Sequence, residues 1–268
     1  SVTAPEDQVF EQDTAGVPGV SENEDRFGAA LAAGDFNGDC FADVVIGAPE
    51  EDSGRGSVTV LYGSDDGLTT ADSARFLQGV DGVPGPAYTG EWFGSTLASG
   101  DFDADGYADV AVGVYEDRIV SVADAFGEGS VYVLYGSAAG LTSAGAAMFS
   151  QDSAGVPGVA EEEDRFGWAV TAGDFDGDGA DDLAAGAYNE NSGAGYAIVL
   201  YGAAGTGLSS AGSQGWWQNS AGLADTAESG DFFGYALAAG DLTGDGRDEL
   251  VVGAWGEDSR EGVGHVLL

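Results

Sequence analysis

One acidic nonapeptide occurs four times in this chain, as Asp35–Asp43, Asp101–Asp109, Asp174–Asp182 and Asp241–Glu249. The copies read DFNGDCFAD, DFDADGYAD, DFDGDGADD and DLTGDGRDE. Oxygen-bearing side chains stand at positions 1, 3, 5 and 9: Asp35, Asn37, Asp39 and Asp43; Asp101, Asp103, Asp105 and Asp109; Asp174, Asp176, Asp178 and Asp182; Asp241, Thr243, Asp245 and Glu249. With the position 7 carbonyls of Phe41, Tyr107, Ala180 and Arg247, this alternation can wrap a tight turn around one hard cation. Calcium takes six to eight oxygens in irregular geometry, so about four Ca2+ ions are expected, one per repeat. Zinc would call for His or Cys, and the chain has one of each. A single Asp/Asn/Gly cluster is adequately read as a turn; four in register point to metal.

A helix–loop–helix reading fails at position 12, where a bidentate Glu is required. That position is Ile46, Val112, Ala185 or Val252, inside short, Gly-closed apolar runs that read as buried strands. Each loop therefore joins two strands.

The loops are 66, 73 and 67 residues apart, and the likeness between units extends beyond them. Phe-Gly precedes each loop at Phe27-Gly28, Phe93-Gly94, Phe166-Gly167 and Phe233-Gly234. Strands Ser57–Gly63, Ser130–Gly136, Tyr196–Gly202 and Gly264–Leu268 follow, and then apolar patches at Phe76-Leu77, Met148-Phe149 and Trp216-Trp217. The remaining patch, Val9-Phe10, lies at the N-terminus. About four antiparallel strands per unit make one propeller blade. The expected fold is all-β: a single β-propeller domain over 1–268, with blade units near 13–78, 79–151, 152–218 and 219–268 plus 1–12. Closure is expected through Gln8–Gln12 pairing beside Gly264–Leu268, which removes an exposed sheet edge. A four-bladed monomeric ring comes first, a homodimeric eight-bladed ring second, and a stretch of a longer propeller third.

Phe-Gly, the Asp-rich loop and Gly47-Ala48-Pro49 together resemble the FG-GAP repeat of integrin alpha-subunit propellers and their bacterial relatives. The later copies end Gly113-Val114-Tyr115, Gly186-Ala187-Tyr188 and Gly253-Ala254-Trp255, without the Pro. The resemblance implies a calcium-binding, secreted or cell-surface module used in cell adhesion, with ligand contact on the face opposite the calcium loops. That face is expected to carry the long connections Asp13–Arg26, Gly79–Trp92, Asp152–Arg165 and Asn219–Phe232, including Glu22, Glu24, Asp25, Glu161, Glu162, Glu163 and Asp164. Arg26 and Arg165 are expected to form local ion pairs. The five Trp residues are expected mainly to fill core, with sugar stacking as the other use.

The formal charge is −40, and all seven basic residues are arginine. Such a field repels nucleic acid and anionic lipid, and both a salty environment and a high-GC genome produce this balance. No apolar run reaches the ~20 residues of a membrane span, so no membrane insertion is expected. No charged-then-apolar leader opens the chain, so any secretory leader is expected to have been cut away. Cys40, the sole cysteine, replaces the glycine of Gly106, Gly179 and Gly246. His265 is the sole histidine and no Gly-x-Ser-x-Gly element occurs, so an enzyme is not expected. The preferred function is an extracellular, calcium-stabilised recognition or adhesion scaffold for protein or glycan; the alternative is a polysaccharide-acting enzyme or its accessory domain.

Overall fold

A computed structural model describes residues 7–119 and 126–268. The buried apolar runs after each acidic loop become the second strand of a four-stranded antiparallel sheet. Blade one is β1 (Ala30–Gly34), β2 (Asp43–Ala48), β3 (Ser57–Tyr62) and β4 (Thr69–Phe76). Blade two is β5 (Thr96–Gly100), β6 (Asp109–Val114), β7 (Ser130–Tyr135) and β8 (Thr142–Phe149). Blade three is β9 (Ala169–Gly173), β10 (Asp182–Ala187), β11 (Tyr196–Tyr201) and β12 (Ser209–Trp216). Blade four has three strands, β13 (Phe233–Gly240), β14 (Glu249–Ala254) and β15 (Val263–Leu267). Within every blade the strands pair in chain order, so each is a meander. The middle strands β2, β6 and β10 pair on both edges, which is why they read as near-continuous apolar runs.

The core lies between blades. Val45, Val58 and Val60 of blade one pack with Val110, Val112 and Leu134 of blade two. Ala111, Val131 and Val133 meet Leu183, Ile198 and Leu200 of blade three, and Ala184, Ala197 and Val199 meet Leu250, Val252 and Ala254 of blade four. The inner strands stand side by side in the order β1, β5, β9, β13. Small residues permit this approach: a Cβ on Gly34 would lie 2.6 Å from the Ala108 methyl, and one on Gly173 would lie 2.6 Å from Asp248 Oδ2. Parallel bridges Gly56–Phe93, Gly129–Phe166 and Gly195–Phe233 repeat the seam at the other face.

This all-β propeller of four blades is open between its first and last blades, which corrects the expected closure. Gln8–Gln12 forms no strand and does not pair with β15. It is held on blade one instead. Gln8 donates to Leu68 O (3.1 Å) and accepts from Leu68 N (2.8 Å), Gln12 donates to Glu51, and Val17 packs with Ile46 and Leu61. Residues 1–6, the start of the expected closing segment, lie outside the described residues. At the far end, Gly240, the counterpart of Gly34 and Gly173, has nothing within 4 Å of its would-be Cβ. Leu31 on β1 and Val266 on β15 are 62% and 47% exposed. The physical reason is local: the bonds of Gln8 and Gln12 and the packing of Val17 hold the segment on blade one, away from β15.

The seam gives a mutational test. A Cβ on Gly113 would collide with Thr96 Oγ1 of its own blade and with the Gly167 carbonyl of the next, whereas at Gly253 the nearest atom is 3.5 Å away and belongs to its own blade. Gly113→Ala is expected to destabilise by about 1–3 kcal/mol, and Gly253→Ala by less than about 0.5 kcal/mol, in urea melts. Equal losses would mean that another blade packs against β14 in solution.

Candidate metal centres

Each acidic loop is built by its own carboxylates. The position 1 side chain caps the turn: Asp35 accepts from Gly38 N (2.7 Å), Asp39 N (3.1 Å) and Cys40 N (2.8 Å). Asp174 does the same for Gly177, Asp178 and Gly179, and Asp241 for Gly244, Asp245 and Gly246. Asp101 holds Asp105 N and Gly106 N, both at 3.0 Å. Position 3 accepts from the position 5 amide in the first three loops, through Asn37, Asp103 and Asp176. Position 5 accepts from the position 7 amide in all four, where Asp39, Asp105, Asp178 and Asp245 receive Phe41, Tyr107, Ala180 and Arg247. These are Asx turns in series.

Position 9 is different because it is buried. Asp43 accepts from Phe36 N (2.9 Å) and from Gly63 N (2.8 Å), the residue just after β3. Asp109 and Asp182 repeat both bonds with Phe102 and Gly136, and with Phe175 and Gly202. Glu249 is longer and turns back to Leu242 N, Thr243 N and Thr243 Oγ1. Burial pushes Asp43 up, and pushes Asp109 and Asp182 up to about 7, against the lowering effect of their amide donors.

Three of the four loops bring three acids each together, at positions 1, 3 and 9 in the second and third loops and at 1, 5 and 9 in the fourth, whereas the acids of the first loop form no such set. Ligand atoms of Asp101, Asp103 and Asp109 lie within 4.8 Å of one another, as do those of Asp174, Asp176 and Asp182, and of Asp241, Asp245 and Glu249. The first loop differs at Asn37, whose Nδ2 donates to Asp39 (2.9 Å). The donors are all oxygen, and close carboxylates with no cation among them repel, so the set fits a hard dication.

Sequence reasoning did not show that these loops also join the blades. Ala108 N donates to Asp35 O, Asp181 N to Asp101 O and Asp248 N to Asp174 O, each at 2.9 Å. The Asp181 and Asp248 carboxylates return to Asp101 N (2.9 Å) and Asp174 N (3.2 Å). Position 8 is thus the hinge pin. The extra Asp in the third and fourth loops was visible, but nothing in one sequence indicated a partner in the preceding blade.

The opposite face carries an aromatic ladder near the inner strands. Trp92, Tyr115, Trp168, Tyr188, Tyr235 and Trp255 follow one another with ring centroids 4.7–5.8 Å apart. Trp216 packs in the blade three–four core. Glu22, Glu24, Glu161, Glu162 and Glu163 are exposed there, whereas Asp25 and Asp164 are buried. A 440 Å³ cleft beside Trp92 is lined by Glu22, Glu24, Asp25 and Glu50. Arg26 pairs with Glu50 (3.0 Å) and Arg165 with Glu116 (3.4 Å). His265 is buried against the Phe233 ring, and Cys40 is exposed and free.

A chain of meander blades with a carboxylate loop between the first two strands of each is an acidic-loop propeller by architecture. The FG-GAP repeat family matches residues 27–61, 93–134, 166–200 and 233–268, and the chain belongs to that family. It is 30% identical over 251 residues to integrin alpha-5 of Xenopus laevis, covering 89% of this chain and 21% of that protein. It is 30% identical over 263 residues to integrin alpha-PS2 of Drosophila melanogaster, covering 96% and 17%. The rat phosphatidylinositol-glycan-specific phospholipase D is 36% identical over 162 residues, covering 59% of this chain and 18% of that protein. The chain thus spans about a fifth of the length of these curated relatives. Among solved structures, an exotype rhamnogalacturonan lyase superposes with a TM-score of 0.47 at 16% identity, over 82% of this chain and 37% of that one. No helix among the described residues is long and apolar enough to cross a membrane.

The non-loop face yields a pH test at Glu91. It is fully buried, accepts from Tyr88 N (2.7 Å), and is pushed up to about 7 by burial, with Asp117 adding repulsion. The folded chain therefore keeps a proton that the unfolded chain releases above its ordinary value of about 4.3. Stability attributable to this group falls as pH rises through about 4.3 to 7. Glu91→Gln is expected to be more stable than the parent by about 1–3 kcal/mol at pH 8 and to lose that advantage at pH 4. Parallel urea melts at the two pH values read the difference.

Proposed function

We propose that this chain is an extracellular, calcium-stabilised recognition scaffold of the integrin-like type, binding protein or glycan through the face opposite its metal loops. The observation that carries the metal half is that the converging carboxylates sit in the same loops that join blade to blade. Bound Ca2+ would be held by the side-chain oxygens at positions 1, 3, 5 and 9, most of them carboxylates, and by the position 7 carbonyls, neutralising groups that otherwise repel. Cytosolic calcium is too scarce to fill weak sites of this kind, which supports an extracellular setting. The aromatic ladder supports the recognition half: it offers flat apolar faces within an acidic rim on a rigid base, where binding loops usually work.

Linkage gives the size of the metal effect. Each independent site adds about 2.7 kcal/mol when free ion stands a hundredfold above Kd. Calorimetry is expected to show Tm rising with calcium and falling by ten degrees or more with excess chelator, a loss on the order of the net stability of a whole domain. A Tm indifferent to chelator would end the metal reading. For recognition, a protein and glycan array probed with the calcium-loaded chain is expected to give hits that Trp255→Ala weakens by about tenfold or more. Hits unaffected by that change would move the ligand off the ladder, and shortened polysaccharide in the wash would favour the enzyme alternative.

A further inference from the structure

Each of the three seams joins two unlike faces. The earlier blade offers its position 1 carbonyl, a glycine of its second strand and the glycine just before its third. The later blade offers its position 8 amide and its Phe-Gly step. Thus Asp35 O, Asp101 O and Asp174 O accept from Ala108 N, Asp181 N and Asp248 N. The carbonyls of Gly94, Gly167 and Gly234 fill the places of the Cβ atoms that Gly47, Gly113 and Gly186 lack. Gly56, Gly129 and Gly195 bridge to Phe93, Phe166 and Phe233.

Blade four presents the first kind of face and blade one the second, and neither meets another blade among the described residues. On blade four, Leu242 is 63% exposed where its counterparts Phe36 and Phe102 are fully buried. Val266 is likewise exposed where Val60 and Val133 are fully buried. A 330 Å³ slot lined by Tyr235, Gly253, Trp255, Gly262 and Gly264 stands where the other blades receive a Phe-Gly step. On blade one, Ala42 is exposed and Phe27 is half-buried, whereas Phe93, Phe166 and Phe233 are fully buried. Leu31 is exposed too, although its counterparts Leu97 and Val170 pack into seams.

A second observation concerns β15, whose outer edge has no partner among the described residues. In the other blades the residue matching Gly264 pairs with an aromatic of the fourth strand: Val58 with Phe76, Val131 with Phe149 and Ala197 with Trp216. Phe10 is the remaining aromatic of that type, and it lies on blade one against Ile46 and Leu61. Gln12, two residues on, donates to Glu51 as Gln151 donates to Glu190 and Gln218 to Glu257. Val9–Gln12 therefore stands on blade one where the fourth strand of a preceding blade would stand. We propose that a second copy of this chain supplies that blade, so that blade four of one copy docks on blade one of the other in a fourth seam of the same kind. β15 gains Val9–Gln12 of the other copy as its fourth strand, Phe27-Gly28 enters the glycine slot, and Ala42 N meets Asp241 O. The occupant is this chain's own blade one because the two free faces are the two halves of a contact that the chain already makes three times. Such a head-to-tail contact closes a ring when two copies make it reciprocally, and otherwise runs on as a file of copies. Both copies are strongly negative, so the contact tightens as salt screens them.

The test is sedimentation equilibrium of the full chain in calcium, over a range of concentration and salt. A mass of at least twice one chain is expected at high concentration, favoured by salt. Val266→Asp on β15 and Leu31→Asp on β1 are each expected to raise the dissociation constant by about tenfold or more. Val159→Asp, on an exposed residue of the connection before β9, is expected to leave it unchanged. A single-chain mass throughout overturns the proposal, as does association that the three variants leave intact or weaken alike. Loss in only one of the two face variants also overturns it, because like faces would then be meeting. Dilute urea melts check that each variant is folded; the copies are apart there, so Gly253→Ala remains near neutral. Should Val266→Asp unfold, Gly264→Asp takes its place, since nothing lies within 4 Å of its would-be Cβ.

Discussion

The buried position 9 carboxylate is the contact on which the rest of the architecture depends. Asp43, Asp109 and Asp182 each clamp the start of their own acidic loop to the residue after the third strand, with one oxygen for each amide. A buried carboxylate costs free energy unless its lone pairs are met, and here two backbone donors meet them. The loop is therefore fixed to the sheet before any ion is considered. A loop so fixed can then present its first-position carbonyl to the next blade, as Asp35, Asp101 and Asp174 do. Acidic loop and blade seam are one construction.

That construction explains why so acidic a chain folds into a sheet protein with an ordinary apolar core. Much of the negative charge is gathered where it caps turns, and part of the rest is exposed on the opposite face at Glu22, Glu24 and Glu161–Glu163. The cost appears at buried acids just after the second strand, where the first three blades use different local answers: Arg75 for Glu51, the Ser130 and Tyr132 hydroxyls for Asp117, and Asn191 for Glu190. Repeats that share a backbone need not share their electrostatics. The seam tolerates such drift because glycines and backbone hydrogen bonds recur in every copy, with the Asp181 and Asp248 carboxylates added in two of them.

Much of the blade was legible in the sequence. The apolar runs after each loop are β2, β6, β10 and β14, since a strand paired on both edges and packed on both faces has no polar side to show. The position 9 acids were named as ligands from spacing alone, but their burial and their grip on Gly63, Gly136 and Gly202 were not visible. Those glycines lie some twenty or more residues away and meet the acids only through strand pairing. The aromatic ladder was likewise scattered among three separate units in the chain, so its rings read singly as core or as sugar platforms. Closure was misjudged because the Val9-Phe10 patch matches the other fourth-strand patches in type, while Gln8 and Val17 fasten that segment to blade one.

Sequence by itself determined the unit: its period, its four-strand meander, its oxygen-only loop and its family likeness. All of these follow from local pattern, because turn chemistry and strand alternation act over a few residues. Tertiary structure alone decided how the units meet. The order of the inner strands, the exposed ends at Leu31 and Val266, and the partners of Asp181, Asp248 and Gln218 arise from contacts between residues remote in the chain. No local pattern encodes such contacts, and they hold Gln8–Gln12 on blade one instead of beside β15.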